Sequence, residues 1–257
     1  PLGVLGAAIA TLIAQAVSAV LVTVTLMYRT EGMKLCLSQI RMYKRMLQSI
    51  LKIGLPAGFE AIMYSISNII VQVSINNFGV DTMAAWTAYS KIDFIFWMIN
   101  SAFGISVMTF VGQNYGAGKW DRIRRGTKIC LGMALISAVS VSIILMSAER
   151  FLFGIFVNDA GVVEIGIRMM NVIAPAYLLF AFIEVFSGAL RAQGAVVVST
   201  LITMVGICVL RMIWVTLVAA HGTLEQVIIC YPITWAAGAL AMSIYYIYKQ
   251  RKIFQAR

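Results

Sequence analysis

At 257 residues, with 61% hydrophobic and 12% charged side chains and a mean hydropathy of +0.91, the chain carries more apolar surface than a soluble domain of its size can bury in one core. Its net charge of +10 raises the possibility of nucleic acid, which the placement of the basic residues has to decide. Cys36, Cys130, Cys208 and Cys230 are widely spaced in or beside apolar segments, with no paired Cys or Cys/His spacing, so neither a disulfide framework nor a zinc site is implied.

The apolar residues fall in long runs bounded by Gly, Pro or charge. Backbone polar groups in hydrocarbon must be paired within the protein, and runs without two-residue alternation select helices over a barrel. Seven spans are expected, at residues 3–28, 53–78, 84–111, 127–148, 163–190, 196–219 and 226–248. At ~1.5 Å rise per residue each crosses a hydrocarbon layer of ~30 Å. The first run is too long for the ~7–15-residue core of a signal peptide, and the chain reads as a piece of something longer. Between the first two spans, MKLCLSQIRMYKRMLQSILKIG alternates apolar with basic residues. It reads either as an amphipathic helix lying on the membrane surface or as a solvated linker.

Alternating the loops across a bilayer sorts the charge. One side receives Arg29, Lys34, Arg41, Lys44, Arg45 and Lys52, then Lys119, Arg122, Arg124, Arg125 and Lys128, then Arg191, then Lys249, Arg251, Lys252 and Arg257, which makes sixteen of the twenty Lys and Arg. The other side carries Arg150 beside Asp81, Glu149, Asp159, Glu164 and Glu225. The positive-inside rule then makes the first side, with the C-terminus, cytoplasmic. Anionic lipid becomes the expected partner of the basic loops, and nucleic acid is not expected.

Charge inside the bilayer is costly, so intramembrane ionisable residues are the first functional candidates. Glu60 in the second span and Glu184 in the fifth fall toward the cytoplasmic half, with no basic residue expected at similar depth. A carboxylate without a counter-charge in low dielectric favours a bound proton or cation. Lys91, Asp93 and Arg211 fall toward the outer half and are expected either to form a buried charge cluster that fixes packing or to serve function. Tyr64, Asn68, Gln72, Asn100 and Tyr177, with Ser65 and Ser67, either line an aqueous path or bond between helices. Pro56, between Gly54 and Gly58, and Pro175 are candidate bending points. Trp86, Trp120, Tyr245, Tyr246 and Tyr248 read as interfacial anchors. The lone His221 is placed in an outer loop without partners. No phosphate-binding loop, nucleophile elbow or metal motif is present, so neither an enzyme nor a cofactor is expected.

Three stretches resemble the multidrug and toxic compound extrusion (MATE) family: TFVGQNYGAGKWDRIRRG from Thr109 to Gly126, GLPAGFEAIMYSISN opening the second span, and FSGALRAQG from Phe186 to Gly194. The resemblance covers essentially the whole chain. It implies an all-α polytopic membrane protein: residues 1–28 as helix six, the last of an N-terminal lobe whose first five helices are absent here, 29–52 as a cytoplasmic basic amphipathic linker, 53–248 as a C-terminal six-helix lobe, and 249–257 as a basic tail. It further implies a plasma-membrane antiporter that exchanges drug-like, often cationic molecules for a coupling ion, H+ or Na+, by rocking one lobe against the other. Glu184 and Glu60 are then the candidate coupling acids. Glu60 stands about one turn before the acid of the sodium-coupled branch, where this chain has Tyr64. Gln113, Asn114, Gly116 and Gly118 form either a tight polar gate at the inner mouth, where small residues let neighbouring helices approach and separate, or a plain loop with a cationic C-terminal cap. A lipid-linked oligosaccharide flippase of the same superfamily and a non-transporting scaffold or fragment are the competing readings. The flippase would need a cationic cavity, whereas the intramembrane charges here are two basic and three acidic.

Overall fold

The computed structural model describes residues 3–28, 35, 36, 38, 40–218 and 222–255. Arg29, Lys34, His221 and Arg257 lie outside them, and with them part of the expected linker. The described residues form helices α1 (Gly3–Tyr28), α2 (Lys44–Asn76), α3 (Val80–Gly116), α4 (Trp120–Ser147), α5 (Glu149–Phe156), α6 (Ala160–Ile173), α7 (Tyr177–Ala192), α8 (Val196–Thr203), α9 (Leu210–Ile213), α10 (Leu224–Ile228) and α11 (Cys230–Gln255). Seven helical stretches are long and apolar enough to cross a membrane, matching the seven expected runs.

The chain divides into two compact units, Pro1–Leu51 and Lys52–Arg257. The first contains α1, whose spanning stretch has a mean hydropathy of 2.1. The expected separate surface helix between the first two spans does not form among the described residues. Residues 40–43 are not helical, and the basic run Lys44, Arg45, Lys52 makes the opening turns of α2 itself. Nothing in KRMLQSILKI breaks a helix, so the segment simply continues into the apolar run.

In the second unit α7 is the hub, with α3, α4 and α11 packed around it. A helix apolar on every side is one that neighbours enclose, and α7 buries Tyr177, Phe180, Ile183, Val185, Phe186 and Leu190 on different faces. Glycine sets the closest approach. A Cβ on Gly188 would lie 2.8 Å from the Gly104 carbonyl oxygen and 2.8 Å from Val107 Cγ1, so α3 and α7 cross where neither helix carries a side chain.

Two spans are broken. Pro175 lacks the N–H that would bond one turn back, and Ala174–Ala176 tightens into a 3-10 turn between α6 and α7. The buried Ala174 carbonyl accepts the Tyr177 N–H within that turn and also the Ser142 hydroxyl at 2.6 Å, which ties the break to α4. Pro56, by contrast, sits inside an unbroken α2. The span from Val196 to Val218 contains two π-helical segments, Met204–Val209 and Trp214–Val218, on either side of α9. The extra residue in each turn rotates the helix beyond it, and Arg211, between them, ends fully buried.

The turn expected as a gate is a helix cap. Gly118 adopts φ +66° and donates to the Tyr115 carbonyl at 3.1 Å, while Lys119 N–H donates to the Asn114 carbonyl at 2.8 Å. This Schellman arrangement requires the left-handed region that glycine enters freely. Asn114 is buried, its amide donating to the Phe110 carbonyl at 2.8 Å, and a Cβ at Gly116 or Gly118 would meet nothing within 4 Å. Among the described residues nothing packs closely against these two glycines. The same cap closes α7, where Gly194 has φ +78° and Ala195 N–H donates to Leu190 at 2.9 Å.

Gly188→Ala is expected to destabilise the lobe by about 1–3 kcal/mol through overpacking, read as a lowered unfolding temperature in detergent. Gly116→Ala should leave it unchanged or slightly raised.

Candidate functional site

Two cavities open along the α2 face of the lobe, and Tyr64 lines both. The first, of about 320 Å³, lies between α2, α3 and α7 and holds Glu60, Glu184 and Arg191. Arg191 Nη2 donates to both Glu60 oxygens, at 2.7 and 2.8 Å, and the Thr200 hydroxyl donates to Oε2 at 2.9 Å. Glu60 is 14% and Arg191 30% exposed at the side chain. The expectation that Glu60 lacks a basic neighbour is thus overturned. Arg191, sorted by sequence into a loop, belongs to the last turn of α7 and folds back into the cavity.

Glu184 stands seven residues before Arg191 on the same α7 face, as two helical turns require. Its carboxylate occupies the space left by Gly104, where a Cβ would overlap it. Among the described residues no hydrogen bond or ion pair reaches that carboxylate, and the guanidinium nearest along its helix is committed to Glu60. With two carboxylates and one guanidinium, the cavity has room in its charge balance for one monovalent cation or proton.

The second cavity, of about 420 Å³, is bounded by α2, α3, α6 and α11. Tyr89, Asp93 and Trp97 follow one another at i, i+4 and i+8 on α3 and face it together. Asp93 accepts Trp97 Nε1 at 2.6 Å and the Tyr177 hydroxyl, and Tyr177 is itself 3.1 Å from the Tyr89 hydroxyl. Trp86, Tyr231 and Trp235 complete an aromatic wall, with Trp86 stacked on Tyr89 at 5.3 Å. Arg211 lies behind this wall. Its guanidinium is 4.3 Å from the Tyr231 ring centroid and 5.7 Å from that of Tyr64, Nη1 donates to Asn68 at 3.1 Å, and Nε and Nη2 have no partner among the described residues.

The three-residue charge cluster does not form. Lys91 is exposed, and among the described residues no ion pair joins it, Asp93 or Arg211. One residue of helix separates Lys91 from Asp93 by about half a turn, so the two face opposite ways. Of the expected lining residues, Tyr64, Asn68 and Gln72 face the second cavity, Tyr177 is buried behind Asp93, and Asn100 is buried between helices outside both cavities. Two expected anchors are also corrected. Trp86 lines the second cavity, and Tyr246 is buried against Phe186, because each falls on the inward face of its helix. Tyr89, Trp97, Thr200, Tyr231 and Trp235 were missed; the i, i+4, i+8 spacing around Asp93 was the available signal.

The family model described as MatE matches residues 56–217. The probable multidrug resistance protein YoeA of Bacillus subtilis is 25% identical over 98% of the chain and 56% of its own length. The multidrug export protein MepA of Staphylococcus saprophyticus is 23% identical over 85% of the chain and 51% of its own length. An outward-facing structure of a multidrug resistance MATE family transporter of the MOP superfamily superposes with a TM-score of 0.89 at 18% identity, covering 98% of this chain and 57% of that one. The chain belongs to the MatE family and is a multi-pass membrane protein. It spans about half the length of the curated relatives it matches.

Arg191→Gln is expected to leave Glu60 with Thr200 alone and to cost about 1–3 kcal/mol, given partial exposure. Glu60→Gln/Arg191→Gln should recover at least half of that loss in the same unfolding assay.

Proposed function

We propose that this chain supplies helix six and the C-terminal lobe of a cation-coupled antiporter that exports drug-like, often cationic molecules. The observation that carries the reading is Glu184: a carboxylate in a cavity between membrane-spanning helices, without a hydrogen bond or ion pair among the described residues, beside a guanidinium already engaged by Glu60. Such a group needs a counter-species, and a proton or Na+ meets that need in the absence of cargo. Exchange becomes obligatory because the empty charged site is too costly to carry through an occluded state.

Asp93 and the aromatic wall suit the cargo. Ring faces attract organic cations, and a carboxylate behind them supplies the charge. Acid at both cavities, with Arg211 screened behind tyrosines, favours cationic cargo over the phosphate of a lipid-linked sugar. The facing half of the pathway would come from an N-terminal lobe, and the basic end of the bundle would face the cytoplasm of a plasma membrane. Glu60, held by Arg191 and Thr200, then tunes the charge beside Glu184 and does not itself carry the ion.

Glu184→Gln in the full-length protein should abolish drug resistance and substrate-driven ion release from liposomes while expression is unchanged; wild-type resistance in that variant defeats the coupling role. Imposed pH and Na+ gradients, applied separately, identify the ion. Asp93→Asn should weaken binding of cationic substrates by about fivefold to tenfold, measured by equilibrium titration, with neutral compounds little affected.

A further inference from the structure

A third cavity, of about 330 Å³, lies at the basic end of the lobe between the start of α4 and the end of α11. Arg124, Lys128, Tyr246, Ile247, Gln250 and Arg251 line it, so three cations converge on one pocket whose described walls carry no carboxylate. It is a built pocket. Tyr246 is 8% exposed and stacks on Phe186 of α7 with ring centroids 4.5 Å apart and planes at 15°. Gln250 Nε2 donates to Gln193 Oε1 and Lys249 Nζ to the Gln193 carbonyl, both at 3.0 Å, which fastens the end of α11 to the cap of α7. The Tyr246 hydroxyl is buried and has no hydrogen-bond partner among the described residues.

The occupant of the pocket has to satisfy its surroundings as well as its charge. On α11, Leu240, Ile244, Ile247 and Arg251 recur at i, i+4, i+7 and i+11, one exposed stripe that is apolar until it reaches the cation. A ligand with an anionic head and a long apolar tail matches that order, and a soluble anion matches only its end. We infer that this pocket holds the phosphate of an anionic phospholipid, with Arg124, Lys128 and Arg251 opposing its charge, Tyr246 donating to a phosphate oxygen, and an acyl chain running along the Ile247–Ile244–Leu240 stripe. A specific lipid at this position bridges α4 and α11 across α7, the helix that carries Glu184 and Arg191. The site stands independently of the transported cargo and of the coupling ion.

Native mass spectrometry of the full chain from micelles containing equal phosphatidylglycerol and phosphatidylcholine tests this. Phosphatidylglycerol should be retained with about tenfold preference, and Arg124→Ala/Lys128→Ala/Arg251→Ala should remove that preference. Arg122→Ala/Arg125→Ala/Lys252→Ala, which deletes as much charge outside the pocket, should keep it. Tyr246→Phe, which leaves every charge in place, should lower retention by about threefold. Equal retention of the two lipids, or the same loss in both triple variants, overturns the proposal. Displacement of the lipid by inorganic phosphate overturns it in favour of a soluble phosphate ligand, and failure of phosphate to displace it supports the lipid.

Discussion

An ionised carboxylate taken out of water must be balanced, and the lobe from Lys52 to Arg257 balances its two inner acids in different ways. Glu60 receives a guanidinium and a hydroxyl, which together satisfy both of its oxygens. Glu184 receives neither, although it shares a helix face with the same arginine. The inequality arises from packing. Arg191 sits at the end of α7, long enough to reach across to α2, while Glu184 is pressed into the gap that Gly104 leaves in α3. Fixed charge is thereby neutralised on one side of the cavity and left without a hydrogen bond or ion pair among the described residues on the other.

The backbone irregularities serve the same arrangement. A regular helix from Ala160 to Ala192 would leave no break between the segment facing Asp93 and the segment carrying Glu184; the 3-10 turn at Pro175 introduces one, and the Ser142 hydroxyl ties it to α4 through the Ala174 carbonyl. The π segments flanking Arg211 turn that residue inward, against Tyr231 and Asn68. Breaks of this kind are tolerated in a membrane where protein, and not lipid, surrounds them, as at the buried Ala174 and Ala176. Tyr64 lines both cavities.

Much of the fold was legible because hydrocarbon is a demanding solvent. Length and uniform hydrophobicity placed all seven spanning stretches, and the basic residues of 119–128, 191 and 249–252 do gather at one end of the bundle. The helices overran the expected limits, as with Lys44 and Gly116, because a helix does not stop where hydrocarbon does; α3 runs on to the cap at Gly118. The motifs that resembled a family were similarly readable, yet part of what they encode is capping: Gly118 and Gly194 end helices by adopting backbone angles that other residues resist.

The sequence by itself determined that this is a membrane-spanning helical protein with acids at Glu60, Asp93 and Glu184, because those are properties of composition and order along a chain. Only the tertiary structure decided that Glu60 is paired and Glu184 is not, that Lys91 turns away from Asp93, and that Trp86 lines a cavity. Partnership between charges depends on distances across helices far apart in sequence, and a span that is apolar on all sides carries no pattern from which its inward face can be read.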